Sequence, residues 1–235
     1  LSRGVIHQLS ELLLAMSGDG TPVAPALIVN AAASAVPHCR HAGLTLLRAE
    51  RGPTTLAASD GLAEKVDALQ YELGEGPCLD AATGPAVLLS DDLGLDDRWP
   101  NFGRQCVGTI GMRSMLSLRL PIGGADHAAI SYYASDEAAF TEDDIIVASV
   151  LVPLAALSVE ADLREADCRN LTNALQSSRQ ISIAVGILMT TQRLPEVEAF
   201  EALRVASMHL NTKLRVVAEE VTLTGELPSK HVGRP

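Results

Sequence analysis

Four cysteines, Cys39, Cys78, Cys106 and Cys168, are the side chains in this 235-residue chain best suited to metal or covalent chemistry. They are scattered, and no two form a Cys-x-x-Cys pair, so their spacing offers neither a zinc site nor a disulfide framework. Free thiols are the expected state. The stretch GEGPC at 74–78 has the glycines of a phosphate-cradling loop, yet it lacks Gly-Lys-Ser/Thr. It reads as a turn that opens no helix. His127 and the serine and tyrosines of SYYAS at 131–135 have no acid placed to complete a triad. Trp99, the single tryptophan, belongs in a core or a pocket wall. Nothing here assembles a catalytic constellation or a metal centre, and the chain is expected not to be an enzyme.

Charge separates the chain into two parts. The net charge is −11, yet residues 165–235 hold eight basic and eight acidic groups. All of the excess negative charge therefore lies in residues 1–164, with 10 basic and 21 acidic groups. An acidic body repels polyanions, which leaves the neutral C-terminal part as the region where nucleic acid could dock.

The elements that must position these groups also change along the chain. LSRGVIHQLSELLLAM at 1–16 reads as an amphipathic helix with Val5, Leu9, Leu12, Leu13 and Met16 on one side. It lacks the charged start and cleavage site of a secretory leader, and no apolar run reaches the roughly 18 to 20 residues of a membrane span. A cytoplasmic protein is expected. A second helix is expected within PVAPALIVNAAASAV at 22–36. Strand patterns follow at AGLTLLRAE, TTLAAS, AVLLSDD, SMLSLRLPI and AAISYYAS, with helical stretches at LAEKVDALQY and around WPNFGRQCV. Five or six strands interleaved with helices predict an antiparallel α+β domain.

Beyond residue 140 no strand signal remains. Thr141 and Asp144 have the spacing of a capping box, and Pro153 should kink or interrupt the helix that follows. Leu154, Leu157, Ala161, Arg164, Cys168, Leu171, Leu175, Ser178, Ser182, Val185 and Met189 recur at alternating three- and four-residue spacing. That pattern suits either a coiled-coil seam or an ordinary amphipathic helix. Two shorter helices are expected at 195–210 and 211–224, with Pro195 in the first turn of one, Asn211 capping the other and Gly225 just past its end. A three-helix unit this small has a marginal core, which is a reason for the long helix to pair with a second chain. Gly186 interrupts the apolar run ISIAVGILM at a helix cost of about 1 kcal/mol, and close approach of the following helices is the expected compensation.

The C-terminal pattern resembles the ANTAR domain, an RNA-binding module of bacterial transcription antitermination regulators. NALQSSRQISIAVGILMTTQ and EAFEALRVASMHLNTKLRVVAEEV carry the likeness, with Ala174, Leu175, Arg179, Ile181, Ala184, Gly186, Leu188, Ala199, Phe200, Leu203, Asn211, Leu214 and Ala218 at matching positions. Val185 departs from it, since the family often has lysine there. Upstream, LGEGPCLDA, DDRWPNF, GMRSMLSLRLP and AFTEDD resemble the GAF domain. The expected fold is an α+β GAF domain over 1–160, an antiparallel sheet with flanking helices. An all-α three-helix ANTAR domain over 161–228, including the connecting helix, and a tail at 229–235 complete the chain.

The resemblance implies a signal-responsive regulator that binds paired RNA stem-loops as a homodimer and keeps a terminator hairpin from forming. Its expected RNA-binding residues are Arg179, Arg193, Arg204, Asn211, Lys213 and Arg215, on the three C-terminal helices and their turns. DNA and membranes are not expected partners. GAF domains imply a six-stranded sheet and, in sensors, a small ligand between sheet and helices. No cofactor is predicted here, and His7, His38 and His41 do not stand out as haem ligands. Two other readings remain open. One is a dimeric small-molecule or redox sensor, with Cys168 on the seam, whose ANTAR unit is a protein-interaction module. The remoter one is a GAF-type methionine sulfoxide reductase using Cys39, Cys78 or Cys106, although that family's cysteine motif is absent.

Overall fold

Two-residue alternation builds the first part of the molecule and helical periodicity the second. The structure, a computed structural model, describes residues 23–228. The helix expected at 1–16 and the tail expected at 229–235 lie outside the described residues. The chain divides into two units, Leu1–Arg164 and Glu165–Pro235.

In the first unit, β1 (His41–Arg48), β2 (Gly52–Ala58), β3 (Val87–Ser90), β4 (Ser114–Leu120) and β5 (His127–Ala134) form one sheet in the order β2-β1-β5-β4-β3. Every neighbouring pair is antiparallel. The described residues thus hold five strands, where the resemblance implied six. Registers such as Gly43 opposite Ser131 and Leu118 opposite Ile130 align the alternating side chains across strands. Leu44, Leu46, Leu116, Leu118, Ile130 and Tyr132 fall on one face and are fully or almost fully buried. Helix α1 (Pro25–Ala35) covers that face with Ile28, Val29 and Ala32. Each such aliphatic side chain contributes about 1.5–3 kcal/mol on burial.

The opposite face is covered by α2 (Gly61–Leu73), α3 (Pro77–Thr83), α4 (Pro100–Gln105) and the π turn Cys106–Ile110. Ala63, Val66, Trp99, Phe102, Met115 and Tyr133 pack there. Asp60 starts α2 by accepting hydrogen bonds from the Leu62 and Ala63 amides. GEGPC does open a helix, contrary to its expected reading, because Pro77 is favoured in a first helical turn. It is no phosphate cradle, for Gln70 Oε1 already accepts the Cys78 amide at 2.9 Å. Gly76, at φ 148°, lies against the Gln70 side chain, where a Cβ would collide.

Helix α5 runs from Glu142 to Thr191, 50 residues. Its start is a true capping box: the Thr141 amide donates to Asp144 Oδ2 and the Asp144 amide to Thr141 Oγ1. Pro153 lies inside and does not interrupt it. Leu151, Ala155, Ala156 and Val159 are buried in the α1-side core, and this packing offsets the backbone bond that proline removes. By length and composition alone α5 is apolar enough to cross a membrane, but Val147, Ala148, Leu151, Ala155, Ala156 and Val159 of its first part are buried in the core of the first unit.

The second unit combines the part of α5 from Glu165 onward with α6 (Glu196–Leu210) and α7 (Leu214–Thr224). Ala184, Val185, Leu188, Ala199, Leu203, Val217, Ala218 and Val221 form its core. Val185 is apolar because it faces this core. Asn211 does not cap α7; with φ 50° and ψ 43° it closes α6 instead, a left-handed position that asparagine tolerates. Gly225 ends α7 in the same conformation. Gly186 fails its expected role altogether. It is exposed, and a Cβ built there meets nothing within 4 Å, so no helix packs closely over it.

Candidate nucleic-acid interface

Lys213 and Arg215 stand where α7 begins, and the fold sets them across a polar groove from α5. Lys213 is the N-cap of α7, and its side chain caps nothing. A helix start presents free N–H groups and a partial positive charge, which adds to the two cations. The facing wall is Asn173, Gln176, Ser177 and Gln180, which share one side of α5 through their three- and four-residue spacing. Glu219, one turn along from Arg215, completes a groove of about 460 Å³. Among the described residues, neither Lys213 nor Arg215 is engaged in an ion pair.

The other four expected residues do not enter this groove. Arg179 is exposed on α5, and Arg193 lies in the turn after it with φ 57°. Arg204 is committed to Glu201 through Nε and Nη2, at 2.8 and 2.6 Å. That pairing raises the guanidinium pKa and lowers the carboxyl one, so the local charge is largely offset. Asn211 serves the backbone turn at the end of α6. The residues that sequence reasoning missed are Asn173, Gln176, Ser177, Gln180 and Glu219. Their helical spacing was readable, but that they would face Lys213 and Arg215 depends on the packing of α7 on α5.

A second, apolar groove of about 670 Å³ separates α5 from the start of α6. Ile181, Val185, Met189, Val197 and Phe200 line it, with Ser178, Ser182 and Gly186 along the α5 side. Val197 is 80% exposed and Phe200 is 42% exposed, so the groove has an open apolar rim.

In the first unit, the sheet face beneath α2 and α3 carries a buried polar layer. Tyr133 donates a short hydrogen bond to Asp67 Oδ1, and Thr55 donates to Oδ2 at 3.0 Å. The hydroxyl of Tyr71 bonds those of Thr45 and Thr55, and Ser117 bonds Ser131 at 2.8 Å. Gly43 makes room for the carboxylate, since a Cβ would lie 2.7 Å from Oδ2. Burial pushes Asp67 up to about 6, against the pull of its hydrogen bonds. Trp99 is almost fully buried, and its Nε1 donates to Asp80 Oδ2 at 2.8 Å. Burial also pushes the thiols of Cys39 and Cys106 up to about 12 and raises Cys78 well above its ordinary value. Thiols held protonated are poor nucleophiles. Cys168 is the exposed cysteine.

Residues 26–160 match the family model of the GAF domain, and residues 169–221 match that of the ANTAR domain. Among solved structures, the chain is similar to the GAF domain of a phosphoenolpyruvate-protein phosphotransferase from Coxiella burnetii. The two share 17% identity and a TM-score of 0.52, over 69% of this chain and 96% of that one. The GAF domain of an Acinetobacter phosphoenolpyruvate-protein phosphotransferase gives 14% identity and a TM-score of 0.52, over 71% and 97%. At such identities the likeness speaks for fold alone. Among curated proteins no match is found. The antiparallel sheet with its flanking helices, the helical unit that follows it in sequence and the two family matches agree: the chain belongs to the GAF-domain family and, with its ANTAR domain, has the make-up of a GAF–ANTAR regulator.

Proposed function

We propose that this protein is a cytoplasmic, non-enzymatic antitermination regulator that binds paired RNA stem-loops as a homodimer, with the GAF unit as its sensor. The observation that carries the reading is the polar groove, where two cations that make no ion pair among the described residues and a helix start without a side-chain cap face a wall of amides. Cations and helix N–H groups suit phosphate, and amides suit the exposed edges of loop bases. Support for the dimer comes from α5, where Leu171 and Leu175 are 62% and 64% exposed on the side that carries Ser178 and Ser182. Two linked hairpins on two linked modules gain affinity through effective concentration. Titration of a two-hairpin RNA into the full chain tests the reading. Binding at low salt that weakens steeply as salt rises is expected; no binding at low salt would overturn it.

The apolar groove favours a second reading, in which the helical unit is a protein-interaction module, since exposed Val197 and half-exposed Phe200 suit an apolar anchor. Loss of a protein partner, with RNA binding unchanged, on Phe200→Ser would support it. A reductase reading has little chemical support, because the three thiols of the first unit are held protonated.

A further inference from the structure

Resting on the RNA-binding reading, we propose that Asn173, Gln176 and Gln180 are the specificity-determining side chains of the polar groove. They read the edge of an unpaired base while Lys213 and Arg215 hold the adjoining phosphate. The division follows from what each group can offer. Ammonium and guanidinium groups supply donors only and suit phosphate whatever the base beside it. A carboxamide presents a donor and an acceptor side by side, the pattern that pairs bidentately with a base edge.

Placement supports the same division. The three amides fall on one side of α5 at i, i+3 and i+7, and they line the wall opposite the cations. Among the described residues, none of the three makes a side-chain hydrogen bond, so both functions of each amide are free for a ligand. Glu219 is the groove's one carboxylate. It lies on α7 one turn beyond Arg215 and repels phosphate, which confines the ligand's backbone to the end of the groove where Lys213 and Arg215 stand.

The test is a selection with the full chain on a library of two-hairpin RNAs with randomised loops, at low salt. Affinities for the selected RNA and a loop-permuted control are then measured. The natural sequence should prefer the selected loop. The combined Asn173→Ala, Gln176→Ala, Gln180→Ala variant should lose about 5- to 150-fold of that preference, with the salt dependence of binding unchanged. Alanine favours the helix at these positions, and circular dichroism checks that the fold is kept. By contrast, Lys213→Ala with Arg215→Ala should weaken both RNAs alike and flatten the salt dependence by about one logarithmic unit per cation. Gln180→Glu keeps the side-chain shape but replaces the donor with an acceptor, so repeating the selection should yield a different loop base.

A triple variant that binds and keeps the preference overturns the proposal while leaving RNA binding intact. Equal binding of both RNAs by the natural sequence overturns it too, as does recovery of the same loop by Gln180→Glu. Failure of the natural sequence to bind any RNA overturns the RNA-binding reading itself, and this inference with it.

Discussion

Asp67 is a carboxyl group that the fold holds away from water, between Tyr133 and Thr55, with burial pushing it up to about 6. In the unfolded chain it would titrate near 3.9. The folded state therefore binds the proton more tightly, and the stability this group lends is fully present below about pH 4. It is lost as pH rises through about 6. Urea midpoints of the full chain should fall between pH 4.5 and 7 in proportion to that loss. Asp67→Asn should flatten the fall, and an unchanged slope would show that the group titrates normally. Arg204 illustrates the opposite situation, a charge already spent on Glu201. Its replacement by alanine should change RNA affinity less than replacement of Lys213, as measured by the same titration at matched salt.

At the scale of elements, Gly186 separates propensity from packing. With nothing within 4 Å of a built Cβ, Gly186→Ala should stabilise the second unit by up to about 1 kcal/mol, read from thermal or urea unfolding. A loss of stability would show that some close approach does exist there. Leu175→Asp places a charge among the exposed apolar positions of α5. It should convert a dimer to monomer in sedimentation with the folded content unchanged, whereas a persistent dimer would place the interface elsewhere. The strands were legible because alternation such as Leu116, Leu118, Leu120 is a local signal of period two. The capping box at Thr141 was legible for the same reason, since its partners are three residues apart. Asn211 was misplaced because asparagine suits both a helix start and a left-handed helix end, and the sequence does not say which helix claims it. Neither the Asp67–Tyr133 pair, 66 residues apart in sequence, nor the amide wall facing Lys213 has any local trace.

At the scale of the molecule, acidity confined to residues 1–164 leaves the second unit neutral. RNA would then meet a locally favourable groove within a repulsive overall field, so added salt has two opposed effects. It weakens phosphate contacts and screens the repulsion. Cys168, exposed on α5, gives the dimer reading a simple chemical probe. Mild oxidant should produce a cross-linked band on non-reducing gels that Cys168→Ser abolishes; a monomer band throughout would remove Cys168 from the proposed seam.

The bare start of α7 has one more consequence. Val216 and Val217 donate back to the Lys213 carbonyl, at 2.8 and 3.3 Å, whereas the amides of Leu214 and Arg215 have no acceptor among the described residues. Those two protons are left to the solvent and should be among the first of the helix to exchange with deuterium. Any occupant that accepts them would serve as the missing cap, so that part of its affinity is the helix's own completion.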